Sequence, residues 1–225
     1  MNKIIINGKE LYYRNIFGDK YVVQENLSRH CYTSLIPLTV DDVVLDIGAH
    51  IGTFSLLSAL SPVKKVYAFE CEPENFALLE RNTRDLENVT IFNYAVVGND
   101  DGKRERSFYP NTMTNTGAGS FYIKKGRRPI TVECVPINYV FGMADFTYIK
   151  SDCEGAEYDI FDNLTIPLSV RNIVIEFHLS RKEFKLKLPG LLSSITRQGF
   201  KMIAPTGDYS KRWTVLGAFT RDGVE

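Results

Sequence analysis

Five residues able to carry charge or move a proton stand at the ends of short apolar runs: Asp46, Glu70, Asp152, Glu176 and His178. The runs that precede or contain them, residues 43–45, 65–69, 146–150 and 172–177, have the length and composition of buried strands. A carboxylate at a strand end can accept two hydrogen bonds from a vicinal diol such as that of a ribose. Histidine takes or gives a proton near neutral pH. Glu154, two residues after Asp152, adds a further carboxylate. The chemistry within reach of such a set is the holding of a nucleotide-like cofactor and the removal of a proton from a polar acceptor.

Asp46 opens onto a turn bracketed by Gly48 and Gly52, which leads into the apolar run 53–60. A strand that stops in a small-residue turn and enters a helix presents free backbone N–H groups to a ligand. The dinucleotide pattern G-x-G-x-x-G is not met, because His50 and Thr53 occupy two of its three glycine positions. No Gly-Lys-Ser/Thr follows, which excludes a P-loop. The spacing acid-x-G-x-x-x-G, met by Asp46, Gly48 and Gly52, is the one that S-adenosylmethionine (SAM) methyltransferases carry. The plain alternative is a glycine-containing turn of any α/β protein.

Each candidate has such an alternative. Glu70, Glu72 and Glu74 flank Pro73 at the start of a helix, where acids favour the helix dipole. Glu154 and Glu157 fall in the first turn of a helix expected to begin near Gly155, where the same effect applies. His178 could be structural, although its place at a strand's carboxyl edge points to substrate.

The elements that must position these residues follow from periodicity. Residues 4–6 and 11–13 flank Asn7-Gly8, a strong hairpin signal. Apolar residues at helical spacing (Leu27, Cys31, Leu35) predict a helix over 24–38. Strand 43–47 and its helix come next, then strand 65–69, helix 74–86 and a third strand over 89–97. Residues 103–136 break the rhythm with three short strands (SFYP, SFYIK, ITVECV) and a polar loop, NTMTNTGAG, suited to covering a substrate. That segment also gathers Lys103, Arg104, Arg106, Lys124, Lys125, Arg127 and Arg128, a solvated basic face or a docking surface for an anionic acceptor. After strand 172–177 come a helix over 188–198 and two strands, 200–204 and 213–220, whose short connector requires an antiparallel pair. Alternating strands and helices give an α/β, doubly wound, mostly parallel sheet closed by one reversed strand.

With 225 residues, 44% hydrophobic and 24% charged, the chain reads as a single domain, 1–225. Residues 1–40 form its N-terminal hairpin and helix and 41–225 its catalytic core. A net charge of zero argues against bulk binding to nucleic acid or acidic membranes. Cys31, Cys71, Cys134 and Cys153 form no C-x-x-C, so no metal site is expected and a reduced, cytoplasmic setting is. The first residues read as neither a signal peptide nor a membrane span.

Several stretches resemble the FkbM-type SAM-dependent methyltransferases: VVLDIGAHIGTFSLLSA, VYAFECEPENFALLERN, the YAVVGND turn, YIKSDCEGAEYDIF and IVIEFH. The block K-x-D-x-E-G-A-E, Lys150 to Glu157, is the most specific, and the resemblance covers roughly residues 40–180. It implies a Rossmann-like class I fold with a seven-stranded sheet and helices on both faces, SAM as methyl donor, and O-methylation of a small molecule or sugar. Asp46, Gly48 and Gly52 would line the methionine end, Glu70 would bind the ribose, Ala95 would lie near the adenine, and Asp152 would sit beside the reacting centre. His50, Thr53 and Phe54 complete the expected cofactor set. The family usually carries Asn where this chain has His50.

Methyl transfer needs alignment of the acceptor oxygen, and an alcohol must also lose its proton. His178 is the expected base, with Glu176, Asp152 or Glu154 orienting it or the acceptor. An amino-group nucleic-acid methyltransferase would need an Asn/Asp-Pro-Pro-aromatic tetrad where this chain has Ser151-Asp152-Cys153-Glu154. An RNA ribose methyltransferase, an NAD-dependent oxidoreductase and a non-catalytic binding module are the remaining alternatives.

Overall fold

The computed structural model describes residues 1–29, 31–98, 102–111, 116–122, 125–204 and 213–222. The chain opens with strands β1 (Asn2–Ile6) and β2 (Lys9–Tyr13), an antiparallel hairpin with Asn7 and Gly8 both at positive φ, as a two-residue primed turn requires. Helix α1 (Phe17–Gln24) passes into a π-helical turn over Glu25–Arg29. Then come β3 (Val43–Ile47), α2 (Thr53–Leu60), β4 (Lys65–Phe69), α3 (Pro73–Thr83), β5 (Val89–Phe92), β6 (Ala95–Val97), β7 (Glu105–Phe108), β8 (Ile130–Pro136), α4 (Ile137–Phe141), β9 (Tyr148–Ser151), α5 (Glu157–Ile160), β10 (Asn172–His178), α6 (Lys182–Thr196), β11 (Lys201–Ala204) and β12 (Thr214–Thr220).

The main sheet has seven strands in the order β11-β12-β10-β9-β3-β4-β5. Only β12 is reversed, antiparallel to both β10 and β11. Strand residues alternate between two cores. Leu45, Ile149, Ile173 and Ile175 pack with α4, α5 and α6 on one face. Val44, Val66, Tyr148 and Val174 pack with Tyr32, Ile36 and Phe54 on the other, where α2 lies. Burial on both faces is what continuous apolar strands of this kind require.

Several boundaries differ from the periodicity. The helix expected over 24–38 lies earlier, because the Tyr32 hydroxyl bonds Asp152 and the Ile36 carbonyl accepts the Tyr148 hydroxyl, which holds 31–36 in turns. The third strand is two: Asn93 leaves the sheet to bond the Glu70 carbonyl, and β6 joins β8 and β7 in a second sheet. SFYIK supplies only a bridge from Ser120 to Tyr109, with residues 123–124 outside the described set. The helix near Gly155 starts at Glu157, because Glu154 and Gly155 both take positive φ. The helix expected from 188 begins at Lys182 and carries Pro189 inside it. The connector 205–212, His30 and the loop tip 112–115 lie outside the described residues.

Candidate active site

The carboxyl ends of β3, β4 and β9 open into a cleft of about 820 Å³, counting its mouth. β3 and β9 are neighbours in the sheet but far apart in sequence, the switch point where ligands of such sheets bind. Gly48, His50, Thr53, Phe54, Glu70, Ala95, Asp152 and Glu154 line the cleft. Asp46, Gly52, Glu176 and His178 do not.

The two glycines of the turn serve packing. Gly48 has φ +76°, and a Cβ there would meet the Asp152 carbonyl oxygen at 1.9 Å. Gly52, at φ +84°, precedes α2, and its Cβ would meet Leu79 of α3 at 2.7 Å. Asp46 lies beneath the turn. Its carboxylate accepts the Ser55 hydroxyl at 2.5 Å and pairs with Lys150 Nζ at 3.0 Å, with both residues buried. Lys150 also donates to the Gly48 carbonyl at 2.7 Å, so the pair ties β3 to β9 and fixes the turn from below. Burial lowers the Lys150 pKa, but Asp46 and Asp152 outweigh it and raise the pKa overall.

Glu70 faces the cleft from the end of β4, 7% exposed. One oxygen accepts the His50 backbone N–H at 2.9 Å and the other that of Glu72 at 2.8 Å. A carboxylate has about four acceptor positions, and the Asn75 side chain takes part of what the two backbone N–H groups leave, so room for a ligand hydroxyl remains. Burial raises its pKa to about 7 against those hydrogen bonds. Glu72 is spent on capping α3, accepting the Asn75 N–H at 2.7 Å.

The acidic side of the cleft is bound together by Tyr32. Its hydroxyl lies 2.9 Å from Asp152 Oδ2 and 3.4 Å from Glu176 Oε2. Burial and the nearby charge of Asp152 raise the Glu176 pKa to about 7. His178 is buried, with Nε2 3.7 Å from Asp152 Oδ1 and 3.6 Å from Glu154 Oε1, and Nδ1 3.2 Å from Glu157 Oε1. Burial lowers its pKa, yet Glu157 and Glu154 raise it well above the ordinary value. Its ring stands behind Asp152 and Glu154, outside the residues that line the cleft. Glu157 stands in the first turn of α5, as expected, and accepts the Gly155 N–H at 2.8 Å; it also takes the His178 backbone N–H at 2.6 Å.

His50 sits at φ +53°, in the left-handed region that histidine tolerates better than most residues. Its ring bonds Thr116 at 2.9 Å, and Thr116 bonds Asp19, which Arg14 grips through its backbone and guanidinium. Tyr32, Asp19 and Thr116 had no motif to mark them, since they meet the cradle from 31 to 120 positions away, Asp19 and Thr116 at His50 and Tyr32 at Asp152. Lys150 stood inside the most specific block without a role.

A family model for the FkbM methyltransferase domain matches residues 46–202. The chain belongs to the FkbM methyltransferase family. SAM is accordingly its methyl donor, and two buried polar atoms of cleft-lining residues, His50 Nδ1 and Thr53 Oγ1, lack a partner among the described residues and suit a ligand. The chain is similar to the 31-O-demethyl-FK506 methyltransferase FkbM of Streptomyces tacrolimicus, at 31% identity over 49% of this chain and 44% of that one. It is similar to the AMB antimetabolite synthetase AmbE of Pseudomonas aeruginosa at 33% identity, over 56% of this chain and 6% of that one. It spans less than half the length of either curated relative. Among solved structures, the FkbM methyltransferase of Methylobacillus flagellatus superposes with TM-score 0.53 at 17% identity, over 83% of this chain and 45% of that one. The fibrillarin of Methanococcus jannaschii superposes with TM-score 0.52 at 16% identity, over 99% and 88%. At such identities these two show the shared fold.

Among the described residues no helix is long and apolar enough to cross a membrane, and no cluster of three or more His, Cys, Asp or Glu is arranged to hold a metal.

Proposed function

We propose that this protein transfers a methyl group from SAM to a hydroxyl of a sugar, glycan or other small molecule. The observation that carries this is Asp152: a carboxylate in the cleft, beside the cradle, with one oxygen on the Tyr32 hydroxyl and the other facing His178. Fixed in that way, it presents an acceptor to an incoming O–H. SAM supplies an already activated methyl, so the protein's work is alignment and proton handling.

Glu70 would hold the ribose diol, the side of Ala95 the adenine, and the first turn of α2 with Thr53 and Phe54 the methionine end. Gly48, Asp46 and Lys150 keep the turn in shape beneath it. Asp152 and Glu154 would orient the acceptor hydroxyl, and Asp152 would take its proton, with His178 stabilising both carboxylates. Positioning supplies several kcal/mol of barrier lowering, and a base on the order of 10²–10⁴-fold. Asp152, Glu154 and Glu176 oppose an anionic group at the reacting end. A charged part of the acceptor would instead meet the basic segment, where Arg106 is already paired with Asp159 at 3.3 Å. Four free cysteines fit a cytoplasmic setting.

The test is a screen of sugars, nucleotide sugars, amines and an RNA oligonucleotide with labelled SAM, read by mass. A one-methyl gain on a small-molecule hydroxyl, lost in Asp152→Asn, is expected. Transfer to an amine, or to RNA ribose in preference to every small acceptor, would overturn the proposal.

A further inference from the structure

Thr116 settles which nitrogen of His50 carries the hydrogen. A threonine hydroxyl has one hydrogen to give. The Thr116 hydroxyl donates it to Asp19 Oδ1 at 2.6 Å. Asp19 has nothing to donate in return: its oxygens accept the Arg14 backbone N–H at 2.7 Å and the guanidinium at 2.9 and 3.0 Å. Burial opposes the Asp19 charge, yet those bonds bring its pKa below the ordinary value. Toward His50 Nε2, at 2.9 Å, Thr116 can therefore only accept. Nε2 carries the hydrogen, and Nδ1 is left as a bare lone pair.

Nδ1 is buried and has no partner among the described residues, while the ring lines the cofactor cleft. Leaving a buried acceptor unpaired is unfavourable. So is holding a non-glycine residue at φ +53°. Both costs are met at one residue of the cradle, which points to a donor that arrives with the ligand. Desolvation brings the ring's pKa down to about 4, with Asp19 and Asp152 opposing and Arg14 and Lys150 assisting. The ring stays neutral at physiological pH and can act only as an acceptor at Nδ1.

We propose that Nδ1 of His50 accepts a hydrogen bond from the α-ammonium group of the cofactor, with Thr116 and Asp19 as positioning residues that fix the tautomer. This rests on the SAM reading of the cleft. On that reading the ribose diol falls to Glu70 and the adenine amine to the side of Ala95, both of which line the cleft, and the α-ammonium is the donor left for Nδ1.

Imidazole ¹⁵N spectra test it, since the chain has three histidines and His50→Asn identifies the signal of interest. The ligands are S-adenosylhomocysteine and its desamino analogue. In the free protein, Nε2 is protonated and Nδ1 is not. S-adenosylhomocysteine moves the Nδ1 signal in the hydrogen-bonding direction, and the desamino analogue leaves it in place. By calorimetry the wild type prefers S-adenosylhomocysteine by about tenfold, as for one bond to a charged group. That preference shrinks in His50→Ala and in Thr116→Val, each measured below its own melting transition. A protonated Nδ1 in the free protein, equal shifts from both ligands, or a preference unchanged in both variants would overturn the proposal. Failure of S-adenosylhomocysteine to bind the wild type at all would overturn the cofactor reading instead.

Discussion

Oε1 of Glu157 takes two contacts from one residue, the backbone N–H of His178 at 2.6 Å and its ring Nδ1 at 3.2 Å. The contact joins α5 to the end of β10 beneath Asp152 and Glu154. It holds the His178 ring in place behind the acidic side of the cleft.

The His178 pKa is raised above its ordinary 6.5. Its stabilising contribution is therefore complete below that value and is lost as pH rises through the folded-state pKa. NMR titration should place His178 above 6.5, and Glu157→Gln should lower it. Chemical denaturation should show the wild type losing stability on the alkaline side, with a flatter profile in Glu157→Gln. Titration of His178 at or below 6.5 would contradict this.

Lys150 and Asp46 form a buried pair at 3.0 Å under the glycine turn. Lys150→Met leaves the Asp46 charge without its partner, which costs about 3–5 kcal/mol. The melting temperature should fall on the order of 10 °C. A change within a degree or two would show that the pair does not hold the turn.

Gly48 and Gly52 differ in what surrounds them. A methyl at Gly48 collides with backbone, the Asp152 carbonyl, whereas one at Gly52 meets a leucine tip that can turn aside. Gly52→Ala should cost about 1–2 kcal/mol, the left-handed penalty. Gly48→Ala should cost clearly more and disturb the end of β9. Equal melting temperatures would refute the distinction.

The parallel sheet, its reversed strand and the hairpin were legible because each has a local signature: apolar runs of strand length, a connector too short for a crossover, and Asn7-Gly8. Glu70, Asp152 and the glycine turn were legible for the same reason, as strand-end residues beside a turn. The sequence misjudged elements decided by distant partners. Tyr32 is drawn to Asp152, and Asn93 to the Glu70 carbonyl, and each ends a local element that periodicity would extend. His178 had the right position for a base, but only the fold shows three carboxylates around its ring. Asp46 fitted the cofactor pattern, and its pairing with Lys150 is a contact that spacing alone does not announce.

Glu70 is the most direct point of test for the cleft. Its carboxyl pKa is raised to about 7 by burial, so the ionised form that accepts a diol grows as pH rises through that value. SAM affinity should accordingly be higher at pH 8 than at pH 6. The deciding measurement is calorimetric titration of SAM into the wild type and Glu70→Ala at pH 8, with NAD run in parallel. The wild type should bind SAM and not NAD, and Glu70→Ala should bind SAM on the order of 10- to 100-fold more weakly, as for hydrogen bonds to a charged group worth about 1.5–3 kcal/mol. Binding of NAD without SAM, or SAM affinity indifferent to Glu70→Ala, would contradict the account.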